Sequence, residues 1–161
     1  MHDLVIRNAF IVDGTGKPGF NGDIAIDGER IATVGGKAGA ARREINANGL
    51  LLAPGWVDVH THYDGQATWD AYLTPSCWHG VTTAVMGNCG VGFAPVAPGK
   101  RDWLIGLMEG VEDIPGSALA EGIDWQWESF PEYLDALARK ARAIDLAAQV
   151  PHGAVRAGGG G

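Results

Sequence analysis

Residues Leu50 to Val59 form a near-continuous apolar run, Leu50-Leu51-Leu52-Ala53-Pro54-Gly55-Trp56-Val57-Asp58-Val59, that stops on His60-Thr61-His62. Such a run reads as a strand buried on both faces, which in turn requires a parallel sheet covered by helices. Two later segments repeat the pattern. Val81-Thr82-Thr83-Ala84-Val85-Met86 is rich in β-branched residues and closes on Gly87, and Ala143 to Val150 closes on Pro151. Helical spacing lies between them. Strands alternating with helices specify βα units and so an α/β fold built on a parallel sheet.

The clearest helix spans Phe130 to Arg142. Ser129 and Glu132 make an S-x-x-E capping box, and Pro131 fits the first turn. Tyr133, Leu134, Leu137, Ala138 and Ala141 repeat at helical spacing and read as ordinary core packing. Lys100 to Val111 predicts a second helix, with Trp103, Leu104, Leu107 and Met108 on one face. Thr74 to His79 predicts one short turn before Gly80. Upstream of Gly49 the chain reads as a small antiparallel sheet. Strands are expected at Leu4 to Val12, Asp23 to Ile26, Arg30 to Val34 and near Ile45, with a hairpin at Asp27-Gly28-Glu29 because a tight turn there needs positive φ.

The strand ends carry the chemistry. If the first run continues to His62 as a strand, side chains alternate faces, and His60 and His62 point the same way about 6–7 Å apart. Two neutral imidazoles held on a rigid element can share a divalent metal ion. In parallel α/β sheets, chemistry gathers at the carboxyl ends of strands. Two histidines at this spacing also arise by chance on polar loops. The second element is Met86-Gly87-Asn88-Cys89-Gly90-Val91-Gly92, which puts Cys89 at the corresponding end of the next strand. A thiolate beside two imidazoles suits Zn²⁺. The competing reading of Cys89 is a small buried hydrophobe.

Three further residues are candidates, each with two open readings. Asp58 is either a partner behind the histidines or a structural carboxylate. Asp64 either orients a ligand or substrate or is a solvated loop acid. His152 either faces the mouth of the site or sits in the turn Pro151-His152-Gly153. His2 and His79 carry no pattern, and the six tryptophans read as packing or edge residues.

The balance of 12 Lys+Arg against 19 Asp+Glu, with no basic block, argues against nucleic acid as a partner. No apolar stretch approaches the length of a bilayer span, and the N-terminus lacks the pattern of a secretory signal. Two cysteines, Cys77 and Cys89, allow at most one disulfide. Free thiols and a cytoplasmic setting are the expectation.

At these residues a resemblance appears. Ala53 to His62 resembles the first barrel strand of the metal-dependent amidohydrolase superfamily. Gly80 to Gly90, with Gly87-Asn88-Cys89-Gly90, resembles the segment peculiar to its D-aminoacylase (N-acyl-D-amino-acid deacylase) branch. The similarity runs to about Arg156. It implies a (β/α)₈ TIM barrel beside a small β-sandwich. With a full barrel at about 250 residues, this chain would hold the first three or so βα units. The expected organisation is a β-sandwich portion at 1–52, barrel units at 53–156, and a Gly-rich tail at 157–161, flexible or an artefact of truncation.

The resemblance also implies a function. His60, His62 and Cys89 would be ligands of one or two zinc ions in a hydrolase acting on the amide of an N-acyl amino acid. The general base aspartate and two more histidine ligands would lie beyond residue 161, so this chain alone is expected to be inactive. Two alternatives stand beside this. One is a non-catalytic metal-binding fragment that self-associates through its open barrel edge. The other is a cyclic amidohydrolase of the hydantoinase or dihydroorotase kind, disfavoured because those carry a lysine bridge in place of the cysteine motif.

Overall fold

The structure is a computed structural model that describes residues 1–159 of the 161-residue chain. It is an α/β protein of two compact units, Met1–Pro54 and Gly55–Gly161.

The first unit is one five-stranded sheet. Its strands are β1 (His2–Ile11), β2 (Phe20–Asp27), β3 (Arg30–Val34), β4 (Ala41–Asn46) and β5 (Leu51–Leu52), in the order β3-β2-β1-β4, with β5 also on β1. β2 and β3 meet in the expected hairpin. Asp27 pairs with Arg30, and Gly28 takes the positive φ of 58° that the two-residue turn needs. The expectation of an antiparallel sheet is corrected at the other edge, because β4 and β5 both run parallel to β1. The chain returns after Val34 by a crossover rather than a second hairpin. Ala9, Ile11, Ile24 and Ala47 form the core. One carboxylate sits against it. Asp23 is 5% exposed and accepts hydrogen bonds from the Asn8 and Ala38 amides and from Arg7 Nη1, each at 3.0 Å.

In the second unit, β6 (Trp56–Asp58), β7 (Val81–Met86) and β8 (Asp145–Ala148) form a parallel sheet in sequence order. The connection from β6 to β7 holds two short 3-10 turns, at Gln66–Thr68 and Ser76–His79. The connection from β7 to β8 holds three helices, α1 (Arg101–Glu112), α2 (Gly116–Gly122) and α3 (Phe130–Ala138). α4 (His152–Gly159) follows β8. Leu73, Met86, Phe93, Leu104, Met108, Leu119 and Tyr133 are all fully buried in one core.

The capping box on α3 is present, with Ser129 accepting from the Glu132 amide and Glu132 accepting from the Ser129 amide. α3 stops at Ala138, before the expected Arg142, and its inward face is Tyr133, Ala136 and Leu137, with Leu134 turned outward. On α1 the inward residues are Leu104, Ile105 and Met108, and Trp103 is exposed. α4 runs into the glycine run read as a flexible tail, through Gly159. Residues 160 and 161 lie outside the described residues.

The run Leu50 to Val59 departs from the expectation. It is not one strand buried on both faces. Leu51 and Leu52 pair with β1, Trp56 to Asp58 pair with β7, and Ala53-Pro54-Gly55 separates the two. Proline has no amide proton to continue a ladder. Gly55 lies so close to Thr82 that a Cβ would fall 2.1 Å from its methyl. Among the described residues β6 has a strand neighbour on one side only, and Trp56 and Val57 are exposed. Among the described residues, no helix is long and apolar enough to cross a membrane.

Candidate metal centre

The two histidines lie in the bend just past β6, not within the strand. Register is nonetheless carried to them. The Thr61 amide and its Oγ1 both donate to the Val85 carbonyl, each at 2.9 Å, so pairing with β7 extends beyond the last formal strand residue. Thr61 is buried, and the imidazoles on either side of it have ring centres 5.4 Å apart.

Cys89 is presented by a tight turn at the end of β7. Gly87, Cys89 and Gly90 all have positive φ, at 82°, 53° and 77°. For glycine this is cheap. For Cys89 it is a strained conformation of the kind that gathers at functional sites. Gly87 cannot be larger, because a Cβ would fall 2.2 Å from the Gln149 carbonyl oxygen.

Asn88 fixes the turn. Its amide nitrogen donates to the Val85 carbonyl at 2.9 Å and the Thr61 carbonyl at 3.3 Å, while its Oδ1 accepts from Gln149 Nε2 at 2.8 Å. One side chain thereby joins the residues that follow β6, β7 and β8.

The result is a cluster of three donors. His60, His62 and Cys89 each offer an atom within 4.8 Å of the other two, and His60 Nε2 lies 3.3 Å from Cys89 Sγ. Zinc with nitrogen at about 2.0–2.1 Å and sulfur at about 2.3 Å separates its tetrahedral ligand atoms by roughly 3.3–3.6 Å. The closest pair is already at that spacing, and the widest needs to close by about 1 Å. His62 Nδ1 is buried without a hydrogen-bond partner. A soft thiol and two imidazoles, one of them with an unpartnered ring nitrogen, fit a zinc ion.

The remaining candidates fall around this cluster. Asp58 Oδ1 accepts from the His60 backbone amide at 3.1 Å, so it braces the bend and not the ring. Asp64 is 2% exposed, which corrects the reading of a solvated loop acid. Its Oδ2 accepts from the Gly87 amide at 3.2 Å. Burial pushes its carboxyl up to about 7, with the nearby Glu112 charge adding to the rise and the Gly87 hydrogen bond opposing it. His152 opens α4 as an exposed residue. Its ring lies over Gly90, where a Cβ would meet it at 2.0 Å, and it is outside the close donor cluster.

Sequence reasoning missed three contributors. Asn88 stood inside the quoted motif, but only its cysteine and glycines were read. Tyr133 was read as core alone, yet its buried hydroxyl donates to the Asp64 carbonyl at 2.7 Å. Glu112 ends α1, and its Oε2 lies 3.3 Å from His62 Nε2. Nothing in its local sequence signals that contact.

Known proteins share this arrangement of chain. A D-aminoacylase of Alcaligenes xylosoxydans xylosoxydans is 35% identical over 156 residues, which is 96% of this chain and 30% of that protein. A solved D-aminoacylase, described for its binuclear metal centre, superposes with a TM-score of 0.80 at 34% identity, covering 98% of this chain and 31% of that one. The N-acyl-D-glutamate deacylase of Bordetella bronchiseptica, complexed with zinc and a phosphonate inhibitor, gives a TM-score of 0.72 at 31% identity, with the same coverage. This chain thus spans about 30% of the length of the relatives it matches. The model of the amidohydrolase family matches residues 43–160, a stretch that takes in both strand ends and every donor of the cluster, and the chain belongs to that family.

Proposed function

We propose that this chain supplies the first ligands of a zinc centre in a hydrolase of N-acyl amino acids, of the D-aminoacylase kind. The observation that carries the reading is the convergence of His60, His62 and Cys89 within 4.8 Å at the ends of two parallel strands. Under this reading the parallel sheet β6-β7-β8 is the first part of a (β/α)₈ barrel, and the five-stranded sheet contributes to the flanking β-sandwich. Likeness to deacylases of N-acyl-D-amino acids supports the substrate class. Cys77 and Cys89 are both free thiols, in keeping with a reducing, cytoplasmic setting.

The geometry supports a division of labour. His60, His62 and Cys89 would hold the ion. When bound, zinc supplies Lewis acidity, which polarises the amide carbonyl and acidifies water. Asn88 keeps the two ligand-bearing strand ends in register. Asp58 braces the His60 backbone, and the buried Asp64 holds the Gly87 turn that carries Cys89. His152, whose ring lies against Gly90, would face substrate at the mouth of the site. The aspartate that takes and returns the proton would be supplied from beyond residue 161, with the remaining ligands.

The test is the zinc content of the purified chain beside His60→Ala and Cys89→Ala, with hydrolysis of an N-acetyl-D-amino acid measured on the same samples. Near-stoichiometric zinc lost in both variants, without turnover, is the expected result. Zinc-dependent turnover by these 161 residues would overturn the assignment of the base to residues outside them. Zinc retained in both variants would overturn the ligand set.

A second reading, self-association through the open sheet edge, is favoured by the exposure of Trp56 (65%), Val57 (59%) and Val59 (68%) along β6 and its extension. A concentration-independent monomer mass by light scattering would dismiss it.

A further inference from the structure

The turn that presents Cys89 has a wall behind it. The residues that follow β8 meet the turn point for point. The Gln149 amide donates to the Met86 carbonyl at 2.9 Å, and Gln149 Nε2 donates to Asn88 Oδ1 at 2.8 Å. A Cβ on Gly87 would fall 2.2 Å from the Gln149 carbonyl oxygen, one on Gly90 2.0 Å from His152 Cε1, and one on Gly92 2.7 Å from Pro151 Cγ. The approach is as close from the other side, where a Cβ on Gly153 would fall 2.6 Å from the Gly90 carbonyl oxygen.

Gly153 separates room from conformation. It lies in the first turn of α4, where alanine would favour the helix. Its φ is not positive, so what glycine provides there is space for the Gly90 carbonyl. The wall itself is anchored. Ala154 is fully buried in the core of the second unit, and the Val155 amide donates to the Pro151 carbonyl at 3.2 Å. In front of the wall stands Cys89, with a φ of 53°. A strained backbone persists only where its surroundings over-determine it.

We propose that the first turn of α4 positions the Cys89 ligand: the His152 ring and the Gly153 backbone trap Gly90, and so hold Cys89 in the left-handed conformation with its thiol toward His60. Without that trap the backbone relaxes toward the ordinary regions and carries Sγ away from His60 Nε2, which it now meets at 3.3 Å. His152 acts here through the flat shape of its ring. The consequence for metal affinity rests on the zinc reading above, whereas the trap itself is readable without metal. The third strand of the parallel sheet thereby serves the centre, although the three donors come from the ends of the other two.

The experiment measures two quantities on the 161-residue chain, as wild type, His152→Ala, His152→Phe and Gly153→Ala. The first is the set of three-bond NMR couplings about the Cys89 N–Cα bond in the metal-free, isotope-labelled protein, which report φ. The second is zinc affinity by chelator competition. The expected wild type shows a positive φ at Cys89. His152→Ala and Gly153→Ala show averaged couplings and bind zinc about 10–100-fold more weakly. Alanine favours a helix over glycine, so weaker binding in Gly153→Ala does not come from a frayed α4. His152→Phe keeps a flat ring and recovers both readouts. Wild-type couplings and affinity in His152→Ala or in Gly153→Ala overturn the proposal. So does a His152→Phe variant as impaired as His152→Ala, because the ring would then act through its nitrogens. The expected couplings in all four proteins, with no zinc taken up by the wild type, would uphold the trap and overturn the metal reading beneath it.

Discussion

The Tyr133 hydroxyl donates a 2.7 Å hydrogen bond to the backbone carbonyl of Asp64, 69 residues earlier in the chain. Tyr133 lies on the buried face of α3, and Asp64 in turn accepts the amide of Gly87, the first residue of the Cys89 turn. Helix packing and the donor cluster are thus one connected structure. The capping box that sets where α3 begins also sets where this hydroxyl falls.

Tyr133→Phe keeps the ring and its packing but leaves a buried carbonyl without its donor. The expected loss is about 1–3 kcal/mol of unfolding free energy, read as a lower urea midpoint at unchanged m-value. An unchanged midpoint would mean that the Asp64 loop is held by its other contacts alone.

Asn88→Ala removes the three side-chain hydrogen bonds that join the ends of β6, β7 and β8. The expected effect is a loss of stability together with weaker zinc binding, because the separation of His60 from Cys89 is no longer held. Asn88→Asp keeps the volume but has no donor for the Thr61 and Val85 carbonyls, and is expected to behave like the alanine variant. Zinc titration by competition with a chromophoric chelator checks both. Full zinc affinity in either variant would show that the backbone alone keeps the register.

Much of this was legible in the sequence, and the failures have physical causes. β7, β8, α1 and α3 announce themselves through periodicity and caps. The pair His60 and His62 with Cys89 announces itself because each ends a strand run. The break of Leu50 to Val59 into two strands was not legible from apolar content, which is the same for both halves; Pro54-Gly55 hints at it, and the division expected between 52 and 53 came from the resemblance. The burial of Asp64 was not legible, because a charged residue in a loop is usually solvated. It is held by Gly87 and Tyr133, which arrive from 23 and 69 residues away and leave no local trace. α2 was missed because Gly116 to Gly122 is short and flanked by glycines at both ends.

Asp23 gives the first unit an acid-sensitive support. The Asn8 amide foremost, then the Ala38 amide and Arg7, hold its carboxyl below the usual 3.8 against the opposing effect of burial. A carboxyl with a depressed folded-state pKa stabilises the fold fully above the unfolded value, and that contribution fades as pH falls through 3.8 toward the folded one. Asp23→Asn is expected to lower the melting temperature at pH 6 and to flatten its decline as pH falls below 3.8, relative to wild type. Parallel curves for the two proteins would mean that other carboxylates carry the acid sensitivity.

Cys89 sets metal binding against backbone strain, and two substitutions separate them. Its φ of 53° and ψ of 9° place an L-residue in the left-handed region, at a cost of roughly 1–2 kcal/mol. Cys89→Gly removes both the thiol and the Cβ that makes this conformation unfavourable. Glycine also gains freedom in the unfolded chain, worth about 0.5–1 kcal/mol against folding. The net expectation without metal is a gain of up to about 1 kcal/mol over Cys89→Ala, which loses the thiol but keeps the Cβ. With zinc the order reverses against wild type. A ligand that binds only the folded state stabilises it by about 2.7 kcal/mol at a hundred times its dissociation constant, and both variants should forgo that. Urea unfolding of the three proteins, with chelator and with zinc, reads both effects at once. Equal metal-free stability of the glycine and alanine variants would show that the turn relaxes out of the left-handed conformation, and that the strain at Cys89 is not what the thiol must overcome to reach His60.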